Sequence, residues 1–405
     1  MSPLFRYFIA VALAGITRGL WVVALGWSSA TIGGSVAGVG VAFLVGHLVN
    51  VILAPSVGAL IDRRSRKRLA IFGQALFGSA MALPWFANIL GFAPSYALLL
   101  AVACAIAAAG LLQGGALDAI QKSIVAKDDI KRTNAIVNGL RQGAMIAGAG
   151  LGGLSLMWLP IHVSFAVGCV LCVCVILCVL GLPDAHPSSS ERKGYIAQMT
   201  EGYRFFLRQP ELGRLAILIG LSVSVGQLSN MLLPVFVQRE LVGGSELYGV
   251  IDALWSIGGI VAAVIVARLL QRFSLGGFEY LSIIALGALS IAVSLAFHSV
   301  SVAGLYFLMG FAFSFAKILC DGRMIELADL DSIGRVRTHT QAVTSAFGLV
   351  VFSMPAITGL ESVRFHFALW GIGVVVIAAV IYLAAVLSGP GRMAIQQTTE
   401  SDAHD

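Results

Sequence analysis

Ionisable side chains inside long apolar segments are the residues of this sequence best suited to chemistry. Arg18 lies near the middle of the apolar segment 7–29, and its planar guanidinium can bind a carboxylate or phosphate through two parallel hydrogen bonds. An arginine in the centre of a membrane helix costs roughly 2.5 to 3.5 kcal/mol even on lenient scales, so a functional role is the default explanation. We predict that Arg18 binds substrate or takes part in coupling, with a structural ion pair as the alternative.

Asp252, His47 and Lys317 lie in other apolar segments and are candidates for proton coupling. Asp252 lies about a turn and a half from the start of its segment, where a carboxylate can exchange protons with solvent; pairing with Arg18 or another cation is the alternative. Histidine titrates near neutral pH, and a structural hydrogen bond is the alternative for His47. Lys317 shares a helix face with Asp321, four residues further on, so mutual pairing is its alternative.

Polar and aromatic residues of the same segments suit the walls and gates of a cavity. We predict that the substrate-binding residues are Arg18, Gln113, Gln227, Asn230 and Trp255, with Trp21 and Tyr248 as further aromatic walls. Nearer to the segment ends, Asp118, Arg141 and Asp321 are predicted gate residues. Aromatic residues in membrane proteins also anchor interfaces or pack between helices, which is the alternative for the predicted walls.

The composition excludes a soluble enzyme and predicts an all-α membrane protein. The 405 residues are 58% hydrophobic and 11% charged, whereas soluble domains carry about 25% charged residues. A membrane helix needs about 20 apolar residues. Twelve segments satisfy this, at residues 7–29, 36–60, 69–91, 95–119, 135–157, 161–182, 215–237, 247–270, 279–298, 301–321, 339–360 and 365–388. No nucleophile is paired with a base and no phosphate-binding loop is present, so we predict neither catalysis nor ATP-driven pumping.

Basic residues indicate the orientation of the chain, since cationic loops resist translocation. They cluster in the even-numbered connections, for example at 63–68 and 122–132, and the odd-numbered connections are nearly bare. Both termini are therefore predicted to be cytoplasmic, in a multi-pass protein of the cytoplasmic (inner) membrane. The +6 net charge is interpreted as contact with anionic lipid and not with nucleic acid. The six cysteines lie in apolar segments without His or carboxylate neighbours, so no disulfide, metal or cofactor is predicted.

The longest polar segment divides the chain into two halves. The sequence predicts an N-terminal six-helix bundle at 1–182, a cytoplasmic linker at 183–214, a C-terminal six-helix bundle at 215–390 and a disordered tail at 391–405. A weak repeat supports the division, because Lys131-Arg132-Thr133 before the fifth segment is echoed by Val336-Arg337-Thr338 before the eleventh. Duplicated halves that rock about a central site are a recurrent design of transporters.

The loop Gly58-Ala-Leu-Ile-Asp62-Arg63-Arg-Ser-Arg66-Lys67-Arg68 resembles the signature Gly-x-Leu-x-Asp-Arg-x-Gly-Arg-Lys/Arg of the major facilitator superfamily. The resemblance covers nearly the whole chain and implies twelve transmembrane helices in two pseudo-symmetric six-helix bundles. It also implies a gating role for the loop, in which Gly58 allows close helix approach and Asp62, Arg63, Arg66 and Lys67 hold the cytoplasmic gate. The sequence departs from the signature at Ser65, where the family usually has Gly.

A second resemblance concerns the direction of transport. A glycine-rich stretch is similar to the Gly-Pro-x-x-Gly-Gly element of antiporters in this superfamily. It reads Gly148-Ala-Gly-Leu-Gly152-Gly153, with Ala149 in place of proline. Tight helix packing is the alternative role of these glycines. The segments 126–135 and 201–206 resemble the branch of drug and siderophore exporters. Many proton-coupled members carry Arg three residues before the pair Gln113-Gly114, but this sequence has Gly110, so another cation would have to substitute.

Together these features predict a secondary active transporter that exports a small polar compound by alternating access, in exchange for protons. The compound is predicted to be anionic or zwitterionic, in the manner of a siderophore or drug, and the protein to be monomeric. The alternative is an importer of an organic anion, or a lysolipid-type transporter, on the same fold.

Overall fold

The computed structural model describes residues 2–93, 95–125, 130–184, 209–269, 277–327 and 333–401, and over these ranges it contains helices and short connections without strands. Twelve helices follow one another along the described chain. They are α1 (Pro3–Gly33), α2 (Val36–Arg63), α3 (Arg66–Ile89), α4 (Tyr96–Ile124), α5 (Ile130–Ser155), α6 (Ile161–Leu180), α7 (Pro210–Arg239), α8 (Ser245–Leu269), α9 (Phe278–Leu295), α10 (Ser299–Leu327), α11 (Ile333–Thr358) and α12 (Val363–Ser401).

The helices agree with the twelve predicted segments, with shifts at their ends. Among the described residues, eleven helices are long and apolar enough to cross a membrane, and the remaining one is α5, whose first turns contain Lys131, Arg132 and Asn134. Helix α7 begins at Pro210, inside the predicted linker 183–214, because proline lacks the N–H that a first helical position leaves unused. Residues 185–208 of that linker lie outside the described ranges. Helix α12 continues to Ser401, into the predicted tail 391–405, of which 402–405 are not described.

Serine residues define the start of four helices in the N-terminal half. The Oγ atoms of Ser2, Ser35, Ser65 and Ser95 accept hydrogen bonds from the backbone N–H three residues further on. Such caps satisfy one of the N–H groups that a helix start leaves free. Between α1 and α2 the chain turns through Gly34, whose φ of 62° is readily available only to glycine.

The helices form two halves, α1–α6 and α7–α12, that meet along two lines. Helix α2 packs against α11 and α5 against α8, while α1 and α2 contact α7 less extensively. We call the end that carries the chain termini and residues 63–68 the basic end, and the opposite end, with residues 34–35 and 359–362, the far end. The basic end is the one predicted to be cytoplasmic.

The two halves are closely packed at the far end. Gly40 lies one turn into α2, and a Cβ there would lie 2.6 Å from the carbonyl oxygen of Phe352 in α11. Gly153 lies near the end of α5, and a Cβ there would lie 2.6 Å from the carbonyl oxygen of Gly249 in α8. Towards the basic end the surroundings are open. No atom lies within 4 Å of the position a Cβ would take on four glycines of α2, α5 and α10, namely Gly58, Gly139, Gly143 and Gly322. The described hydrogen bonds between the halves lie at the far end and at mid-depth, and we infer from them a cleft that is closed at the far end and open at the basic end.

Candidate functional site

Arg18 lies at the midpoint of α1 (Pro3–Gly33), and its side chain is solvent-exposed. Fifteen residues separate it from either end of α1, which corresponds to about 22 Å of helix. An exposed guanidinium at this depth must face a water-filled cavity and not lipid. Among the described residues Arg18 has no ion pair and no hydrogen bond, and its guanidinium lies against Gly110 of α4. The alternative of a structural ion pair is therefore not realised in this conformation.

Asp252 is an acid of the opposite half that has no ion pair among the described residues. It lies seven residues after the start of α8 at Ser245, about 10 Å along the helix. Its Oδ2 atom is buried and has no hydrogen-bond partner in the described chain, so the alternative of a pair with Arg18 is absent. One turn further, Trp255 packs against Tyr306 and Phe313 of α10 at centroid distances of 6.0 and 5.6 Å.

His47 and Gln227 meet where the two halves touch. The Nε2 atoms of the two side chains are 3.3 Å apart, joining α2 to α7, and the His47 ring packs edge-on against Phe352 of α11 at 5.0 Å. Gly348 makes room for both, because a Cβ there would lie 2.8 Å from His47 and 2.9 Å from Gln227. His47 is thus a side chain that bonds across the interface between the halves, and the Oε1 atom of Gln227 has no partner in the described part of the chain.

Four further ionisable candidates form ion pairs within their own half. Arg141 Nη2 lies 2.6 Å from Asp118 Oδ1, which joins α5 to α4. Lys317 Nζ lies 2.6 Å from Asp321 Oδ2 within α10. Lys317 therefore realises the structural alternative that its spacing allowed, and it is less available for proton coupling than Asp252 in this conformation.

The signature loop makes contacts within the N-terminal half. Arg66 donates to the carbonyl oxygen of Ala119 in α4 at 3.1 Å, and Lys67 donates to those of Leu180 and Leu182 at the end of α6 at 2.6 and 2.8 Å. Cations at a helix C-terminus satisfy its free carbonyl groups. Arg63 is exposed, and the side chain of Asp62 lies outside the described part. The expected close helix approach at Gly58 is wrong for this state, because open space surrounds it.

The antiporter-like glycines lie between three helices. Gly148 contacts Ile16 of α1, and a Cβ on Gly152 would lie 3.1 Å from Leu20 of the same helix. On the other face, Gly153 approaches Gly249 of α8. These glycines permit close packing of α5 between α1 and α8 near the far end, as small residues do in membrane helices.

Three residues predicted as cavity walls or substrate ligands, Trp21, Tyr248 and Gln113, lie between packed helices. Trp21 and Tyr248 are 6% and 2% exposed, and Tyr248 stacks on Trp27 at 5.2 Å; predicting them as cavity walls was wrong, because they fill space between helices. Gln113 is 7% exposed and lies at the contact of α4 with Gly73 of α3. The backbone carbonyl oxygen of Asn230 in α7 lies 3.3 Å from the position that a Cβ would take on Gly26 of α1.

A latch of four residues at the far end was missed by the sequence analysis. Glu361 accepts a hydrogen bond from the backbone N–H of Val36 at 2.9 Å and pairs with Arg239 at 3.0 Å. Arg239 also donates to the carbonyl oxygen of Gly34. The Val36 and Gly34 bonds join the halves, and we call these four residues the far-end latch.

The electrostatics of the latch favour its charged form. Burial raises the pKa of Glu361, but the hydrogen bond from Val36 and the positive charge of Arg239 outweigh it and hold that pKa below its ordinary value. The one signal of the latch in the sequence was a lone acid in a short, nearly uncharged connection.

Among the described residues no group of three or more His, Cys, Asp or Glu side chains is placed to bind a metal ion.

Comparison with known proteins identifies the architecture. Residues 7–352 match the family described as Major Facilitator Superfamily, and no curated protein matches the sequence. Among solved structures, the chain is similar to the nucleoside transporter NupG (TM-score 0.67, 15% identity, covering 94% of this chain and 98% of that one). It is also similar to the peptide transporter POT in complex with sulfate (0.70, 14%, 96% and 95%). A third is a bacterial homologue of the human lysosomal transporter Spinster in an inward-facing, unoccupied conformation (0.66, 13%, 95% and 96%).

Proposed function

The chain belongs to the major facilitator superfamily and is a transporter, not an enzyme, and from this premise we propose that it exports a small organic anion or zwitterion in exchange for protons. The observation that carries the proposal is the exposed, unpaired guanidinium of Arg18 at the midpoint of α1. A cation retained at this depth without a protein partner is suited to an anionic ligand that arrives from the cavity.

The orientation of the open end supports binding of the substrate from the cytoplasm. Cationic residues concentrate at the basic end, which the positive-inside rule assigns to the cytoplasm of a cell whose inner membrane holds the protein. The cleft is open at that end, so Arg18 is accessible from the cytoplasm in this conformation. A substrate would bind there, and rocking of the halves would then expose it at the far end. The glycines of α5 that resemble the antiporter element support export.

The proposed substrate class rests on three groups of the two halves. Arg18 offers a fork for a carboxylate, hydroxamate or phosphate. Trp255 and the unpartnered amide oxygen of Gln227 supply an aromatic surface and a hydrogen-bond acceptor in the C-terminal half. Siderophore-like chelators and anionic drugs combine these features, and the resemblance to the exporter branch favours them.

Proton coupling is assigned to Asp252, with His47 as a second proton carrier. Asp252 has no cation partner among the described residues, so a bound proton is what can neutralise its charge. His47 connects α2 to Gln227 of α7, and adding a proton to its ring changes the hydrogen bond that joins the halves. Protonation at these two sites thus changes both the charge of the cleft and the contact between its walls.

The alternative functions receive less support. An importer of organic anions would use Arg18 equally, but the antiporter-like glycines favour export. A lysolipid transporter needs a lateral opening between the halves. The described apolar groove of about 510 Å³, whose lining includes Leu281, Phe311 and Phe315, lies between α9 and α10, within one half, and opens towards lipid.

Everted membrane vesicles test the proposal, because their external face corresponds to the cytoplasm. The vesicles are given an acid interior and a mixture of carboxylates, hydroxamates and catecholates, and the accumulated compounds are measured by mass spectrometry. The proposal predicts accumulation of at least one anion that disappears when the pH gradient is collapsed and when Arg18 is replaced by Gln. Accumulation in right-side-out vesicles alone, or an Arg18→Gln variant with full activity, would contradict it.

A further inference from the structure

Gly110 of α4 provides the space in which the Arg18 guanidinium lies. If a Cβ is built on Gly110, its three nearest atoms all belong to Arg18: Nη2 in direct collision, Cζ at 3.5 Å and Nε at 3.9 Å. A side chain at position 110 would therefore meet the guanidinium and not the backbone of a neighbouring helix. Gly148, by contrast, is in contact with backbone atoms of Ile16, so its small size serves helix packing.

Gly114 shows that small size alone does not create this arrangement. It lies four residues further along α4, on nearly the same face, and no atom is within 4 Å of its Cβ position. An alanine is thus free of contacts at 114 and collides with Arg18 at 110. Gly110 thus differs from Gly114 in that the guanidinium occupies the space next to it.

We propose that Gly110 is a positioning residue for the anion site: it seats the Arg18 guanidinium in the cleft, so that the fork is pre-organised for an organic anion with two coplanar oxygens. This inference rests on the proposed function, in which Arg18 binds the substrate. An unpaired arginine side chain otherwise loses rotamer freedom when it binds a ligand. Contact with the bare backbone of Gly110 restricts that freedom before the ligand arrives, which is how pre-organisation raises affinity.

The collision at Gly110 involves the flexible end of a side chain, so Gly110→Ala should fold normally and displace only the guanidinium. This separates a positioning role from a structural one. Gly114→Ala is the matched control on the same helix. A double variant, Arg18→Ala with Gly110→Arg, moves the guanidinium from α1 to α4 and returns a fork to the same part of the cleft.

Site-resolved labelling of the purified full-length protein tests the inference. Phenylglyoxal modifies accessible arginines, mass spectrometry reads the modification of Arg18 alone, and citrate serves as the anionic probe that protects it. We expect Gly110→Ala to raise the half-protecting citrate concentration about tenfold to a hundredfold, the equivalent of one charge-assisted hydrogen bond. Gly114→Ala should stay within about twofold of the wild type, and the melting temperatures of both should match the wild type.

The outcomes separate the inference from the proposed function. Equal protection in Gly110→Ala, Gly114→Ala and the wild type would overturn the role of Gly110 and leave Arg18 as the anion site. A wild type in which citrate fails to protect Arg18 would overturn the proposed anion-binding function itself. Citrate protection of the introduced guanidinium at position 110 in the double variant supports the inference, and labelling there without protection contradicts it.

Discussion

Replacing Glu361 by alanine should shift the protein from the state closed at the far end towards the state open there. Glu361 belongs to the C-terminal half, and the backbone N–H of Val36, from which it accepts a hydrogen bond at 2.9 Å, belongs to the N-terminal half. The bond breaks when the halves separate at the far end. Its ion pair with Arg239 lies within the C-terminal half and is available in both states.

The size of the shift follows from this one bond. A hydrogen bond to a charged group contributes about 1.5 to 3 kcal/mol, but 45% of the Glu361 side chain is exposed, so solvent screening reduces the contribution to about 1 kcal/mol. At 1.4 kcal/mol per tenfold change, the ratio of closed to open protein should fall about fivefold. Glu361→Gln keeps an acceptor oxygen, and about half of this change in free energy is expected.

The ratio of closed to open protein is measured by double electron–electron resonance, which gives the distances between spin labels on the two halves. Leu159→Cys, between α5 and α6, and Val300→Cys, at the start of α10, place labels at exposed far-end positions, in a background without the six native cysteines. Glu246→Ala is the matched control, since this exposed acid has no ion pair in the described chain. The reasoning is refuted if Glu361→Ala leaves the distance distribution unchanged, or if Glu246→Ala changes it equally.

Three further predictions concern coupling, packing and pH. Asp252→Asn should abolish accumulation of substrate against a gradient, because the charge that binds the proton is lost, while substrate counterflow continues because the cleft is retained. Flux assays in vesicles measure accumulation and counterflow separately. Intact accumulation would contradict the role of Asp252 in proton coupling. Gly153→Leu should collide with Gly249 and open the far end, as measured by the same spin labels, whereas Gly143→Leu, in open space, should not. Because the pKa of Glu361 is held below its ordinary value of about 4.3, the latch is charged and intact above that value and is lost only as the pH falls through the lowered pKa. The far-end distance should therefore be constant from about pH 8 to 5 and increase below about pH 4; opening near pH 6 would refute this.

Hydropathy made much of this architecture predictable, because an apolar helix long enough to cross a membrane is a local property of the chain. It also singled out Arg18 and Asp252, since each interrupts an apolar segment at a high free-energy cost. The choice of partners was not predictable. Whether Arg141 bonds to Asp118 or to another residue depends on how α4 and α5 rotate about their axes, and helix periodicity is weak in an apolar background.

Conformation is a second source of difference between sequence and structure. Gly58 has the residue type for close approach but lies in open space, because the cleft is open at the basic end. Trp21 and Tyr248 combine a large apolar surface with a polar group, so their composition suits a cavity wall and a packed interior equally. The far-end latch depends on two connections, 34–35 and 359–362, that come together only when the halves close.

Metabolite profiling of cells and medium tests export of an organic anion through Arg18 most directly. Strains with the gene deleted, complemented with the wild type, or complemented with Arg18→Gln are grown with and without iron, and compounds in pellets and spent media are compared by mass spectrometry. Export through Arg18 predicts an anionic compound that is trapped in cells of the deletion and Arg18→Gln strains and released by the wild type. Loss of uptake from the medium in the deletion strain, or full release by Arg18→Gln, would contradict it.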